Sequence, residues 1–85
     1  MTGGFLVVGS NSFSGAHFVR HLLEHGSEVL GVSRSEEPHE VFLPYKWLPN
    51  WKKNCEFEQI DLNHDLHLLM EFVRSYRPSH LGNFA

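Results

Sequence analysis

The chain has 85 residues, a formal net charge of −3 with its seven histidines neutral, a 41% hydrophobic and 13% aromatic fraction, and a single cysteine. That length allows one domain at most, with a small core, because a chain this short buries only about 60–65% of its unfolded surface. The composition argues against intrinsic disorder, the acidic balance leaves no basic footprint for nucleic acid, and a lone Cys55 excludes an internal disulfide or a cysteine-built zinc site.

No apolar run approaches the roughly 18 residues of a membrane helix. The run Phe5 to Val8 is too short for a signal peptide and has no basic leader. The expectation is a cytoplasmic chain with neither nucleic acid nor membrane as partner.

Phe5-Leu6-Val7-Val8 is continuously apolar between Gly3-Gly4 and Gly9, the pattern of a strand buried on both faces of a parallel sheet. A polar turn follows, Gly9-Ser10-Asn11-Ser12-Phe13-Ser14-Gly15, and then a helix to about His25 that stops at Gly26. Gly15, Phe18, Val19, Leu22 and Leu23 share one face of that helix, while His17, Arg20, His21 and Glu24 lie on the other. Residues 28–33 read as a second strand.

The stretch from Arg34 to Asn54 carries Pro38, Pro44 and Pro49, which disfavour a long regular element. Its aromatics Phe42, Tyr45, Trp47 and Trp51 imply packing, expected against the sheet edge. Glu56 to Ile60 reads as a third strand, with Cys55 leading into it. Asn63 is the expected N-cap of a second helix, with Asp65 in its first turn. Leu66, Leu69, Met70 and Val73, at i, i+3, i+4 and i+7, are its expected core stripe, and Pro78 ends it. Residues 80–85 resemble the opening of a fourth strand.

The pattern β-α-β-loop-β-α-β specifies an α/β fold, a Rossmann-type parallel sheet of order 3-2-1-4. A chain ending inside a buried strand reads as the N-terminal part, residues 1–85, of an NAD(P)-binding domain truncated at its fourth strand.

A dinucleotide site needs a tight turn between the first strand and its helix, so that the pyrophosphate meets free backbone N–H groups and the positive end of the helix dipole. Gly9-x-x-Ser12-x-x-Gly15 stands in that context. The run from Phe5 to Val19 resembles the start of the extended short-chain dehydrogenase/reductase superfamily, and more narrowly the NAD-dependent epimerase/dehydratase family. Gly9, Ser12, Phe13 and Gly15 match that family's Gly-x-x-Gly-Phe-x-Gly loop with one departure. Asp61-Leu62 matches its Asp-Leu after the third strand, and Asn83-Phe84-Ala85 matches the beginning of its Asn-x-Ala-Ala motif.

The resemblance implies a bound NAD or NADP. The turn residues Gly9, Asn11, Ser12, Phe13, Ser14 and Gly15 would hold its phosphates. Asp61 and Leu62 would contact the adenine, and Phe84 and Ala85 would pass the nicotinamide-side ribose. Where the family carries an acidic residue for the ribose 2′-hydroxyl, this chain has Ser33-Arg34, and an arginine pairs with a 2′-phosphate, which favours NADP. Ser12, in place of a glycine, is tolerable at negative φ, and its hydroxyl would then be free to donate to a phosphate.

The family's Tyr-x-x-x-Lys pair is missing. Four places after Tyr45 stands Pro49, and four after Tyr76 stands His80. No catalytic residue and no metal ligand is therefore assigned. His17, His21 and His25 recur at i, i+4 and i+8 but on the solvated helix face. The resemblance implies a nucleotide-sugar substrate for the longer protein, transient oxidation at sugar C4, and a homodimer formed through parts outside this chain. The alternatives are a non-catalytic dinucleotide-binding or interaction module, and a truncated product without a stable fold.

Overall fold

A computed structural model of the chain describes residues 4–61 and 64–84. The expectations placed on Gly3, Leu62, Asn63 and Ala85 lie outside the described residues. Four strands, β1 (Phe5–Val8), β2 (Val29–Ser33), β3 (Cys55–Gln59) and β4 (His80–Asn83), form one parallel sheet in the order β3-β2-β1-β4. The expected fold class and strand order are those observed. β3 begins at Cys55, so this residue is part of the strand rather than its lead-in.

Helix α1 (Phe13–Glu24) follows β1 and buries Gly15, Ala16, Val19 and Leu22. It closes on a Schellman motif, in which the Gly26 amide donates to the Leu23 carbonyl (3.1 Å) and the Ser27 amide to the Leu22 carbonyl (3.0 Å). The histidines of its outer face are exposed, and among the described residues no group of three His, Cys, Asp or Glu side chains is disposed to hold a metal ion.

The sheet's two faces hold separate cores. Under α1, Val7 and Val29 pack with Val19, Leu22, Leu43, Tyr45 and Cys55. Leu43 and Tyr45 come from the proline-bearing stretch, which folds into three short 3-10 turns, Glu40–Phe42, Pro44–Trp47 and Trp51–Lys53. The stretch packs beside α1, in one cluster with Val29 of β2 and Cys55 of the edge strand β3. Its tryptophans differ in burial. Trp51 is half-buried against Tyr45, whereas Trp47 is exposed, with Nε1 donating to the Glu40 carbonyl and Arg20 lying over its ring.

On the opposite face Leu6, Val8, Leu30, Val32 and Ile60 pack against helix α2 (Leu66–Tyr76). The side chains that meet the sheet are Leu69, Phe72 and Tyr76. The expected stripe is therefore corrected, since Leu66, Met70 and Val73 are exposed and only Leu69 belongs to the packed row. The helix is apolar on two adjacent rows, and the row carrying both aromatic rings covers more of the sheet. Its start is also corrected. Asp65 occupies the N-cap position, before the first turn, and its carboxylate accepts from the Asp61 amide rather than capping the helix.

Among the described residues no helix is long and apolar enough to cross a membrane. Burial pushes the Cys55 thiol up from 9.0 to about 12, with the Glu37 carboxylate adding to the effect. The same cause raises Tyr45 and Tyr76. A buried thiol of that pKa is about one part in ten thousand thiolate at pH 8, so Cys55 is inert while the chain is folded. We expect no reaction with a thiol-specific reagent at pH 8 on the minute scale, and complete reaction in denaturant. All three acids lose protons more readily when unfolded, so stability is fully present below about pH 8.5 and falls as pH rises past it. Melting curves between pH 7 and 11 should show Tm declining above pH 9. A constant Tm would contradict burial of these groups.

Candidate functional site

The turn between β1 and α1 is shaped by two glycines and a serine. Gly9 lies at φ +79°, a left-handed conformation that side-chain-bearing residues rarely adopt. Its amide is held by the Val32 carbonyl at 2.8 Å. Gly15 is needed for a different reason, since a Cβ there would stand 2.1 Å from the Gly9 carbonyl oxygen. The helix thus begins pressed against the turn backbone.

Ser12 is the N-cap of α1, at φ −73°, the negative value at which a serine is tolerated in this loop. Its Oγ donates to the Gly9 carbonyl (2.8 Å) and accepts from the Gly15 amide (3.1 Å). The expectation that this hydroxyl is free to donate to a phosphate is therefore corrected, because its proton is already engaged within the turn. The amides of Phe13 and Ser14, the first two of the helix, have no intrahelical acceptor. They supply the turn's anion-binding capacity, together with the positive end of the helix dipole.

A cleft of about 510 Å³ opens at the carboxyl ends of the strands. Gly9, Asn11 and Ser12 line it from the turn, Ser33 and Arg34 from the end of β2, Asp61 from the end of β3, and Phe84 from the residue after β4. The structure thus brings together seven of the expected site residues. Gly15 acts by packing, and Phe13 and Ser14 are exposed and do not line the cleft. The Arg34 side chain is exposed, and its guanidinium makes no ion pair among the described residues.

Three further residues shape this end of the cleft without having been singled out in the sequence. Ser35 lines it beside Arg34, and Ile60 forms its apolar floor. Gln59 donates from Nε2 to the Arg34 carbonyl at 3.2 Å. The register of β2 on β3, which sets Ser33 opposite Gln59, is the signal that locates it.

A sequence model of the NAD-dependent epimerase/dehydratase family matches residues 5–85. No curated protein sequence matches the chain. Among solved structures it is similar to a UDP-glucose 4-epimerase from Thermotoga maritima, determined with UDP-glucose. The TM-score is 0.74 at 23% identity, over 96% of this chain and 24% of that one. It is also similar to a dTDP-glucose 4,6-dehydratase from Bacillus anthracis in complex with NAD. Here the TM-score is 0.76 at 18% identity, over 99% of this chain and 27% of that one. The chain thus spans about a quarter of the length of these structures.

The contact between Gly15 and the Gly9 carbonyl gives a direct test of how the turn is built. Gly15→Ala should force α1 away from the turn and lower stability by about 1–3 kcal/mol. For a domain this size, that is a fall in Tm of roughly 5–20 °C. Calorimetry checks it, and an unchanged Tm would mean that the helix does not rest on the turn.

Proposed function

The chain belongs to the NAD-dependent epimerase/dehydratase family, and we propose that its cleft binds the dinucleotide of an enzyme acting on a nucleotide sugar. The observation that carries this reading is the strand–turn–helix geometry. Helix α1 begins at Phe13, directly behind a turn whose Gly9, Asn11 and Ser12 line a cleft at the carboxyl ends of parallel strands. Doubly wound sheets bind their ligands at that edge. The donor set suits a pyrophosphate, since amide hydrogens and a dipole favour negative charge and no cleft-lining carboxylate belongs to the turn.

On this reading each part of the cleft has its own task. The turn Gly9–Gly15 receives the phosphates. Asp61 faces the adenine, and Phe84 lies toward the nicotinamide-side ribose. Ser33 and Arg34 meet the adenosine ribose. A guanidinium that makes no ion pair among the described residues suits a 2′-phosphate at that place, so we assign NADP as the preferred cofactor. When bound, the nicotinamide supplies reversible hydride acceptance, which serves transient oxidation at the sugar C4.

This chain's residues bind and orient, and the proton-transferring groups belong to other parts of the enzyme. The chain is, on this proposal, the N-terminal part of the cofactor domain. The two similar structures, one holding UDP-glucose and the other NAD, support a nucleotide-sugar substrate and a nicotinamide dinucleotide, while the preference for NADP rests on Arg34.

Fluorescence titration of NADPH tests the phosphate assignment. Gly9→Val places a β-branched residue at φ +79°. It should weaken binding at least about tenfold through strain and obstruction of the phosphate path. Unchanged affinity would remove the turn from the site.

The ribose assignment has its own test. The double replacement Ser33→Asp with Arg34→Asn should move the NADP-to-NAD affinity ratio toward NAD by about one to two decades, the worth of a charge-assisted hydrogen bond. A wild-type chain that already prefers NAD would refute the role given to Arg34.

A further inference from the structure

Arg34 and Ser35 line the cleft and open its rim segment, Arg34–Glu37, which is tied down from two sides. On the cleft side, the Gln59 amide donates to the Arg34 carbonyl (3.2 Å). The Asn11 Nδ2 donates to the Ser35 carbonyl (3.2 Å) and to the Glu36 carbonyl (3.0 Å). Three successive rim carbonyls are thus held by side chains from the β1–α1 turn and the end of β3.

On the core side, the Glu37 carboxylate accepts from the Tyr45 hydroxyl and pairs with Lys46 Nζ at 2.9 Å. Tyr45 is 1% exposed and belongs to the core under α1. The Glu37 and Lys46 side chains are 18% and 16% exposed, and the ammonium also lies 5.0 Å from the centre of the Trp51 ring. A mostly buried carboxylate held by a hydroxyl and an ammonium is a fixed point, and it sits one residue beyond the last carbonyl that Asn11 holds.

We propose that Tyr45, which lies outside the cleft, is a positioning residue for it. Through Glu37 it fixes the rim and so sets how well the cleft distinguishes a dinucleotide bearing a 2′-phosphate from one without it. The inference rests on the dinucleotide reading above. Its physical basis is preorganisation. A rim already immobilised loses little freedom when a ligand phosphate meets Arg34, whereas a rim that must be ordered at that moment weakens the complex. The pyrophosphate would meet the backbone of the turn and the head of α1, and the rim is bonded to that turn through the Asn11 side chain rather than through its backbone. Loosening the rim should therefore tell on the 2′-phosphate far more than on the pyrophosphate.

The test is Tyr45→Phe, which keeps the ring in the core and removes only the hydroxyl. Glu37→Gln, which keeps an acceptor for Tyr45 but loses the charge pairing with Lys46, is the second variant. NADPH and NADH are titrated against each protein, and the backbone amide resonances of Ser35 and Glu36 are recorded without ligand. In Tyr45→Phe the affinity for NADPH should fall about tenfold, with NADH changed less than about twofold, and the Ser35 and Glu36 amides should move. Glu37→Gln should fall between Tyr45→Phe and wild type.

Equal losses for both dinucleotides would indicate general loosening and overturn the inference. So would an unchanged NADPH-to-NADH ratio, or unmoved Ser35 and Glu36 amides, in a Tyr45→Phe protein whose wild type binds NADPH. A wild type that binds neither dinucleotide would overturn the dinucleotide reading itself, a result distinct from either.

Discussion

The contact on which the rest of this structure depends is the approach of Gly15 to the carbonyl of Gly9. There is no room for a Cβ between them, so the first turn of α1 can lie against the end of β1 only because residue 15 has no side chain. Ser12 completes the arrangement by bonding to both glycines with one hydroxyl. The helix is thereby aimed so that Ala16, Val19 and Leu22 reach the sheet, and its head is left at the carboxyl ends of the strands. Core packing on one face and anion-binding capacity at one edge follow from the same few atoms.

The remaining elements enclose the space that this turn creates. β2 delivers Ser33 and Arg34 beside the turn because it pairs with β1 along its length, from Phe5 opposite Val29 to Val8 opposite Val32. β3 delivers Asp61, and β4 delivers Phe84, whose amide donates to the Val8 carbonyl at 2.7 Å. The proline-bearing stretch has a different task. It replaces what would otherwise be a crossover helix with short 3-10 turns, filling the α1 side of the sheet with Leu43 and Tyr45. In doing so it brings Glu37 back against its own aromatic residues and fixes the rim.

Much of this was legible in the sequence, and the parts that were not have identifiable causes. The short apolar run at Phe5, the glycine spacing that follows and the amphipathic stripe of α1 are local signals, and local signals specify strand, turn and helix. Parallel pairing and strand order then follow from connectivity. The packed face of α2 was not legible, because Leu66, Met70 and Val73 form as apolar a row as Leu69, Phe72 and Tyr76. Only the sheet decides between them. The engagement of the Ser12 proton was hidden because a hydroxyl's direction depends on the backbone around it. Gln59 and the second role of Asn11 were hidden because they act on residues 24 or 25 positions away in the chain. Such contacts emerge from strand register and loop path, which no local pattern encodes.

The place at which a dinucleotide meets the chain decides between a cofactor cleft and any other use of this surface. The most direct measurement is a titration of the isotopically labelled chain with NADPH, followed through its backbone amide resonances. The predicted result is a set of shifts concentrated at Gly9, Phe13 and Ser14, continuing to Ser33–Ser35, with the residues of α2 unmoved. Shifts confined to the exposed row of α2, or spread evenly without the turn, would contradict it.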